Sequence, residues 1–346
     1  MVFAINLPFK FHLDFTIMEY SKSTEVMTLK RWAFFIFSLF QIVWLAGCTE
    51  KSFTPIEREK SFVASLNILE PSLDFIDEKG EVMATWLFEK AYSGAVLIGD
   101  DHVLLYGNQI DAIDLYDLTT GQKLFTKKVD FGTTNAYYSE ATHQFFIANN
   151  KTNTVTSFDE EGNELASQQL GNYPMSMAAT KDKLYVVNFK DTKLSVLNMD
   201  DLAVEQEWPI SKSAHGIAII EETNELWVGG HGEGSKPNSS VKRYDLSSGE
   251  PLGGIEMPLM PVGLMKADDE ILVVSHGHNE LYVADFSGAV KWHLKVGANP
   301  FVVNKLNDQI IVAGYDDHTL YFIKDGEVQK TVDVGKGSFQ LLVREE

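Results

Sequence analysis

A unit of about 40 residues recurs seven times in this chain, and this repeat limits the possible folds more than any other feature. Each copy holds a short segment of alternating apolar residues that ends in a polar residue, and most copies then continue into a glycine-containing turn. The spacings between successive copies are 40, 42, 39, 47, 40 and 39 residues. The residues that end the seven segments are Asp77, Asp117, Asp159, Asn198, Asp245, Asp285 and Lys324.

Two further kinds of segment keep a fixed place within the repeat. A β-rich run such as residues 184–187 precedes the polar-ended segment, and a run of small residues such as 174–177, often opened by Pro or Gly, precedes that. No convincing amphipathic helix follows residue 60, so each copy is expected to supply four short strands. Four strands per copy and seven copies predict an all-β fold, a seven-bladed β-propeller with the small-residue strand around a central channel.

The two ends of the repeat region are out of phase with the other copies. The first copy begins at its second strand, residues 62–68, and the chain ends with a lone inner-type strand, residues 339–343. We therefore predict that three N-terminal strands and one C-terminal strand form one blade, which closes the ring and removes exposed sheet edges. The propeller is expected to span residues 61–346. The tryptophans of the outer strands, Trp86, Trp208 and Trp292, are predicted to pack between blades.

The N-terminal region has the pattern of a targeting segment. Lys30 and Arg31 precede thirteen almost uncharged residues, 32–44, which are too few to span a bilayer as a helix. The following Leu45-Ala46-Gly47-Cys48 resembles the lipobox of bacterial lipoproteins, and Cys48 is the one cysteine of the chain. We interpret residues 27–47 as a signal peptide and residues 1–26 as an over-extended gene start or an unusual leader.

The lipobox resemblance implies that Cys48 is acylated and becomes the first residue of the mature protein. Two or three acyl chains would give stable anchoring to a membrane, and the polar residues 48–60 are expected to form a short tether. The implied location is the cell envelope, outside the cytoplasm. Thr49 follows the cysteine, so there is no Asp at that position to signal inner-membrane retention. The sequence leaves open whether the host has one membrane or two.

The repeats themselves resemble those of two groups of bacterial propellers. Residues 171–174, the run 184–188 and the strand ending at Asn198 are similar to YVTN repeats of the YncE-like group. Residues 117–124 and 245–250 resemble repeats of PQQ-type propellers, which include the outer-membrane assembly lipoprotein BamB. The resemblance covers residues 61–346 and implies the fold much more specifically than the function.

Composition excludes several classes of function. The chain has 29 basic and 49 acidic residues, for a net charge of −20, whereas nucleic-acid binding requires a basic face. One cysteine excludes a disulfide framework and a zinc ribbon. We expect a monomer without a nucleic-acid partner and assign no cofactor, with a metal as the one exception considered next.

One group of polar residues is a candidate for a ligand-binding or metal-binding site. The propeller topology places the loops that contain His215, His231, His276, His278 and His318 on one face of blades 5, 6 and 7, together with Glu233, Asn279, Asp316 and Asp317. Imidazoles near carboxylates can bind Zn or Cu, or they can donate to a polar ligand over the channel. Polar loops that share a face by coincidence are the third interpretation.

The predicted function is a lipid-anchored platform that binds a ligand or a protein. One alternative is a metal-dependent hydrolase or lyase that uses His215, His231, His276 and His278. The other is an envelope-assembly factor similar to BamB. The sequence does not identify the partner.

Overall fold

The structure, a computed structural model, describes residues 52–345 and confirms the predicted seven-bladed β-propeller. Seven four-stranded antiparallel sheets form the blades, and their strands are numbered here in chain order. Blade 1 contains β1 (Phe62–Asn67), β2 (Ser72–Ile76), β3 (Val82–Leu87) and β30 (Ser338–Arg344). Blade 2 contains β4 (Gly94–Ile98), β5 (His102–Tyr106), β6 (Ala112–Asp117) and β7 (Lys123–Lys128). Blade 3 contains β8 (Thr133–Ser139), β9 (Gln144–Asn149), β10 (Thr154–Asp159) and β11 (Glu164–Gln169).

The remaining four blades follow the same order along the chain. Blade 4 contains β12 (Pro174–Ala179), β13 (Lys183–Asn188), β14 (Lys193–Asn198) and β15 (Val204–Pro209). Blade 5 contains β16 (Ala214–Ile220), β17 (Glu225–Gly230), β20 (Ser240–Asp245) and β21 (Pro251–Glu256), with an extra hairpin of β18 (Gly232–Glu233) and β19 (Lys236–Pro237). Blade 6 contains β22 (Pro261–Ala267), β23 (Glu270–Ser275), β24 (Glu280–Asp285) and β25 (Val290–Lys295). Blade 7 contains β26 (Pro300–Leu306), β27 (Gln309–Gly314), β28 (Thr319–Lys324) and β29 (Glu327–Asp333).

The ring closes through both ends of the propeller, as predicted. Strand β30 pairs with β1, with Val63 opposite Val343, so the C-terminal strand is the innermost strand of blade 1. Within the described residues the helical structure is a single short 3₁₀ turn, Glu221–Thr223, and no helix there is long and apolar enough to cross a membrane.

The hydrophobic core consists of seven clusters, one between each pair of neighbouring blades. The prediction for the outer-strand tryptophans is confirmed. The ring of Trp86 lies 6.0 Å from that of Tyr116 in blade 2, and Trp208 packs so closely on Gly249 of blade 5 that a Cβ there would lie 2.4 Å from the indole. Trp292 packs between blades 6 and 7. Large flat side chains fill the widening space between blades far from the axis, which is why they recur at this place in the repeat.

Residues 52–60, which belong to the expected tether, are packed against blades 1 and 2. The backbone N–H groups of Phe53 and Ile56 donate to the carbonyls of Gly121 (2.8 Å) and Leu118 (2.7 Å). The Phe53 ring stacks on Trp86 at 4.8 Å, and Ile56 is 1% exposed. Glycine is required at position 121 because its φ is +66° and a Cβ would lie 2.1 Å from the Phe53 carbonyl oxygen.

The propeller has two faces, which are named here by what their loops carry. The histidine face consists of the loops that lead from one blade into the next and the loops that join the second and third strands of each blade. The turn face consists of the loops that join the first and second strands and those that join the third and fourth. The N-terminal segment contacts loops of the turn face at Leu118 and Gly121.

Candidate functional site

A cavity of about 210 Å³ lies on the axis of the ring, between the innermost strands. All seven blades contribute to its lining, and the second residue of the innermost strand does so in six of them. These six residues are Thr134, Met175, His215, Val262, Phe301 and Phe339.

Three of the five predicted histidines come together beside this cavity. The ring centroids of His215 and His231 are 5.6 Å apart, and those of His231 and His276 are 5.7 Å apart, both in edge-to-face geometry. His215 lies in the innermost strand of blade 5, His231 follows the second strand of the same blade, and His276 follows the second strand of blade 6. The three imidazoles therefore form a continuous row across the boundary of blades 5 and 6.

Two glycines permit this approach of the blades. A Cβ at Gly216 would lie 2.5 Å from the carbonyl oxygen of Val262, and a Cβ at Gly229 would lie 2.1 Å from that of Pro261. Because neither position carries a side chain, the Nδ1 of His215 can lie 3.0 Å from the Val262 carbonyl oxygen. The backbone of His231 is fixed by donation from its N–H to the carbonyl of Ser213 at 3.0 Å.

Aromatic rings extend the imidazole row in both directions. Phe189 of blade 4 lies 6.2 Å from His231, and Phe301 of blade 7 lies 4.4 Å from His276. Phe301 in turn contacts Tyr315 at 5.5 Å and Phe339 of blade 1 at 5.4 Å. We call the seven residues Phe189, His231, His215, His276, Phe301, Tyr315 and Phe339 the ring arc.

The opposite wall of the cavity is polar. The hydroxyl of Tyr106 donates to Oδ1 of Asn135 at 3.2 Å, and Oε1 of Gln340 accepts from the N–H of Ala95 at 2.9 Å. Thr134 donates to the carbonyl of Pro174 at 2.7 Å. One side of the channel therefore presents rings and the other presents hydroxyl and amide groups.

Burial keeps the imidazoles of the ring arc neutral. Burial, together with the charges that His215 and His276 would carry, lowers the pKa of His231 to about 4. The pKa values of His215 and His276 are also lowered by burial, although the carboxylate of Asp316 opposes the shift at His276. The Nδ1 atoms of His231 and His276 are buried and have no hydrogen-bond partner within residues 52–345. A neutral imidazole with a vacant nitrogen can accept from or donate to a ligand.

The other predicted residues lie on the same face but outside the row. His278 is exposed and its Nδ1 lies 3.9 Å from Oε2 of Glu280. His318 has its Nδ1 3.0 Å from the carbonyl oxygen of Tyr315 and 3.2 Å from the N of Gly337, which places it in loop packing. Cys48 lies outside the described residues.

The acidic and amide residues predicted beside the histidines hold the loops together. Oδ2 of Asp317 accepts from the N–H of Ala298 (2.8 Å) and the hydroxyl of Tyr321 (2.7 Å). Oε1 of Glu233, in the β18–β19 hairpin, lies 3.0 Å from Nζ of Lys212, and Oδ1 of Asn279 accepts from the N–H of Asn299. Asp316 is exposed. Over residues 52–345 no three His, Cys, Asp or Glu side chains are arranged to hold a metal ion.

The sequence reasoning missed the aromatic members of the ring arc. Phe301 and Phe339 occupy the same place as His215, the second residue of an innermost strand. Their position in the repeat could have indicated them. Equivalent residues of equivalent strands point in the same direction, so a channel-facing His215 predicts that Phe301 and Phe339 also face the channel.

The comparisons with known proteins concern the fold. No family model and no curated protein matches the sequence. A functionally unknown protein from Desulfotomaculum acetoxidans is similar in structure, with a TM-score of 0.69 at 9% identity over 82% of this chain and 99% of that one. A protein from Lactobacillus plantarum has a TM-score of 0.68 at 14% identity, covering 83% and 99%. BamB from Moraxella catarrhalis has a TM-score of 0.55 at 10% identity, covering 84% and 92%. These similarities show the propeller fold alone.

Proposed function

We propose that this chain is a lipid-anchored protein of the cell envelope that binds a small ligand at the histidine face of its channel. The observation that carries the proposal is the ring arc. His215, Phe301 and Phe339 line the axial cavity, and the buried Nδ1 atoms of the adjoining His231 and His276 have no partner within residues 52–345. A buried polar atom without a partner costs free energy, and a ligand that hydrogen-bonds it would recover that cost. The lipobox at Cys48 supports the anchor, and the YVTN-like and PQQ-like repeats support the relation to bacterial surface propellers.

The chemistry of the site indicates a small, uncharged molecule that contains a flat ring. Aromatic and imidazole rings offer faces and edges for stacked or edge-to-face contact. The cavity volume of about 210 Å³ is below the 300–1,000 Å³ typical for drug-sized ligands. The neutral histidines supply no positive charge for an anion.

Ligand-observed NMR with a panel of one-ring heteroaromatic compounds tests the binding site. We expect saturation transfer to some members of the panel with the wild-type chain, and loss of that signal in a His231→Leu, His276→Leu variant. The matched control is His278→Ala, which removes an exposed histidine from the same face and should leave the signal unchanged. Equal signals in all three proteins, or none with any compound, would exclude the proposed site.

The anchor is tested separately by mass spectrometry and fractionation. We expect an acyl-modified Cys48 at the N-terminus of the mature chain and recovery of the protein with membranes. The Cys48→Ser variant should lose both. An unmodified Cys48 in membrane-associated protein would contradict the anchor and leave the ligand site untouched.

The two alternative functions give different results in the same preparations. A metal-dependent hydrolase or lyase that uses His215, His231, His276 and His278 predicts that Zn or Cu raises Tm in the wild type and that this gain is lost in the His231→Leu, His276→Leu variant and reduced in His278→Ala. An assembly factor similar to BamB predicts that an outer-membrane protein complex is recovered by cross-linking of the anchored chain.

A further inference from the structure

We propose that the outer edge of blades 1 and 2 lies against an anionic membrane surface, which turns the rest of the acidic propeller away from the bilayer. This inference rests on the proposed acylation of Cys48. It adds the part of the propeller that touches the lipid, which the anchor alone does not specify.

The N-terminal segment is fixed to the propeller from Phe53 onward. Besides its stacking on Trp86, Phe53 contacts the rings of Phe88 at 5.3 Å and Tyr116 at 5.5 Å. Nε1 of Trp86 donates to the carbonyl of Thr54 at 2.9 Å. Arg344 donates to the carbonyls of Glu57 and Lys60, and Arg58 pairs with Asp101 at 2.7 Å. The expected tether of thirteen residues is therefore shortened at its propeller end.

Covalent geometry limits the distance between Cys48 and Phe53. Five residue-to-residue steps separate Cys48 from Phe53, and a chain of that length reaches at most ~18 Å in any conformation. A folded domain of nearly 300 residues has a radius of gyration of about 19 Å. The acyl chains on Cys48 must therefore hold the site of Phe53 close to the bilayer, and free rotation of the propeller above the membrane is excluded.

The surface around Phe53 carries lysines and exposed apolar side chains. The outer strand of blade 2, β7, carries Lys123, Lys127 and Lys128, which makes it the most basic of the seven outer strands. Lys123, Lys90 and Leu87 line the same surface depression as Phe53, together with one acidic residue, Glu89. Exposed apolar side chains accompany the lysines: Leu87 is 60% exposed, Leu124 50% and Phe131 55%.

An anionic lipid surface matches this combination. Lysines near such a surface contribute about 1 kcal/mol each, and exposed apolar side chains add contact with the headgroup region. The excess of acidic residues lies in the loops of the turn face, which the same surface repels. Attraction at this edge and repulsion at the turn face give a preferred orientation, in which the outer edge of blades 1 and 2 touches the bilayer and the turn face points away from it.

Fluorescence quenching by a headgroup nitroxide tests the orientation. The chain is purified whole, an azide-bearing side chain at Leu124 is labelled with a fluorophore, and the protein is reconstituted in phosphatidylcholine vesicles with and without phosphatidylglycerol. The matched control carries the label at Leu252, the second residue of β21, which is also 50% exposed but lies in blade 5, across the ring. We expect several-fold stronger quenching at Leu124, increased by phosphatidylglycerol, and loss of that increase in a Lys127→Glu, Lys128→Glu variant.

The test separates failure of this inference from failure of the anchor. Where Cys48 proves to be unmodified, the same labelled chain is coupled through its thiol to a maleimide-bearing lipid, which attaches it at the same residue. Equal quenching at Leu124 and Leu252 under either attachment overturns the membrane-facing edge. An unmodified Cys48 with stronger quenching at Leu124 after coupling overturns the natural anchor and supports the edge.

Discussion

The loops on the two faces of the propeller differ strongly in charge. The loops of the turn face between the strands carry eighteen acidic residues and two lysines, whereas those of the histidine face carry eight acidic residues and six lysines. The imidazoles and aromatic rings of the ring arc lie at the nearly neutral face. The excess of acidic residues in the loops therefore lies on one face, and the loops beside the cavity are nearly free of net charge.

The difference has a local physical origin. Turn-face loops are tight, and an acidic residue in such a loop can accept from backbone N–H groups within the turn, as Asp77 does from Lys79 (2.9 Å) and Glu81 (2.7 Å). Histidine-face loops are joined instead to the connections between blades, as in the donation from the His276 N–H to the carbonyl of Met260, which lies between blades 5 and 6, at 3.0 Å. Some acidic residues thus hold the turns on one side, whereas bonds between loops and blade connections hold the other.

The largest expected effect removes the residue that holds the N-terminal segment and the closing strand at the turn face. Arg344 is 4% exposed, and it donates to the carbonyls of Glu57, Lys60 and Asp100. Arg344→Ala should lower the free energy of unfolding by about 3–5 kcal/mol, because buried polar groups lose their partner. Urea denaturation measures this. Lys336 is an exposed lysine of the histidine face, and Lys336→Ala should stay within about 0.5 kcal/mol of wild type. An equal loss of stability in both variants would show that Arg344 has no special role in holding the N-terminal segment.

The next effect concerns the close approach of blades 5 and 6. Gly216→Ala should cost about 1–3 kcal/mol, because the new Cβ meets the Val262 carbonyl and must push His215 or blade 6 aside. The same variant should weaken ligand binding at the ring arc. Gly254→Ala in the outer strand of blade 5 is the control, since its Cβ would meet its nearest atom at 3.1 Å. Comparable losses in both variants would show that His215 does not depend on this approach.

Acidification should destabilise the histidine face specifically. The folded pKa of His231 is about 4, below its value of about 6.5 in the unfolded chain, so the unfolded state binds more protons as pH falls. The contribution of neutral His231 to stability should be fully present above pH 6.5. The free energy of unfolding should then decrease between pH 6.5 and pH 4 by on the order of 1–3 kcal/mol. Denaturation measured across this pH range should show a weaker dependence of the free energy of unfolding on pH in His231→Gln than in the wild type. A decrease of the same size in that variant would assign the acid sensitivity to other groups.

The fold followed from the sequence because propeller signals are local and repeated. The polar end of each third strand and its turn recur at nearly constant spacing, and the out-of-phase strands at 62 and 339 indicated the closure that β1 and β30 make. The site followed only in part, since the repeat places a loop on a face but not a side chain within it. His276 and His278 are two residues apart, yet one contacts His231 and Phe301 and the other is exposed.

The smallest expected effect tests the charge difference itself. Glu161 is an exposed residue of the turn face beside Asp159 and Glu160. Glu161→Gln removes one charge from a mutually repelling set and should raise Tm at low ionic strength by no more than ~1 °C. The gain should disappear near 1 M salt, where screening acts within ~3 Å. Glu70→Gln, an exposed charge of the histidine face, should show no such salt-dependent gain, because the eight acidic residues there are nearly balanced by lysines. A salt-sensitive gain of the same size at both positions would mean that the charge acts as a property of the whole molecule.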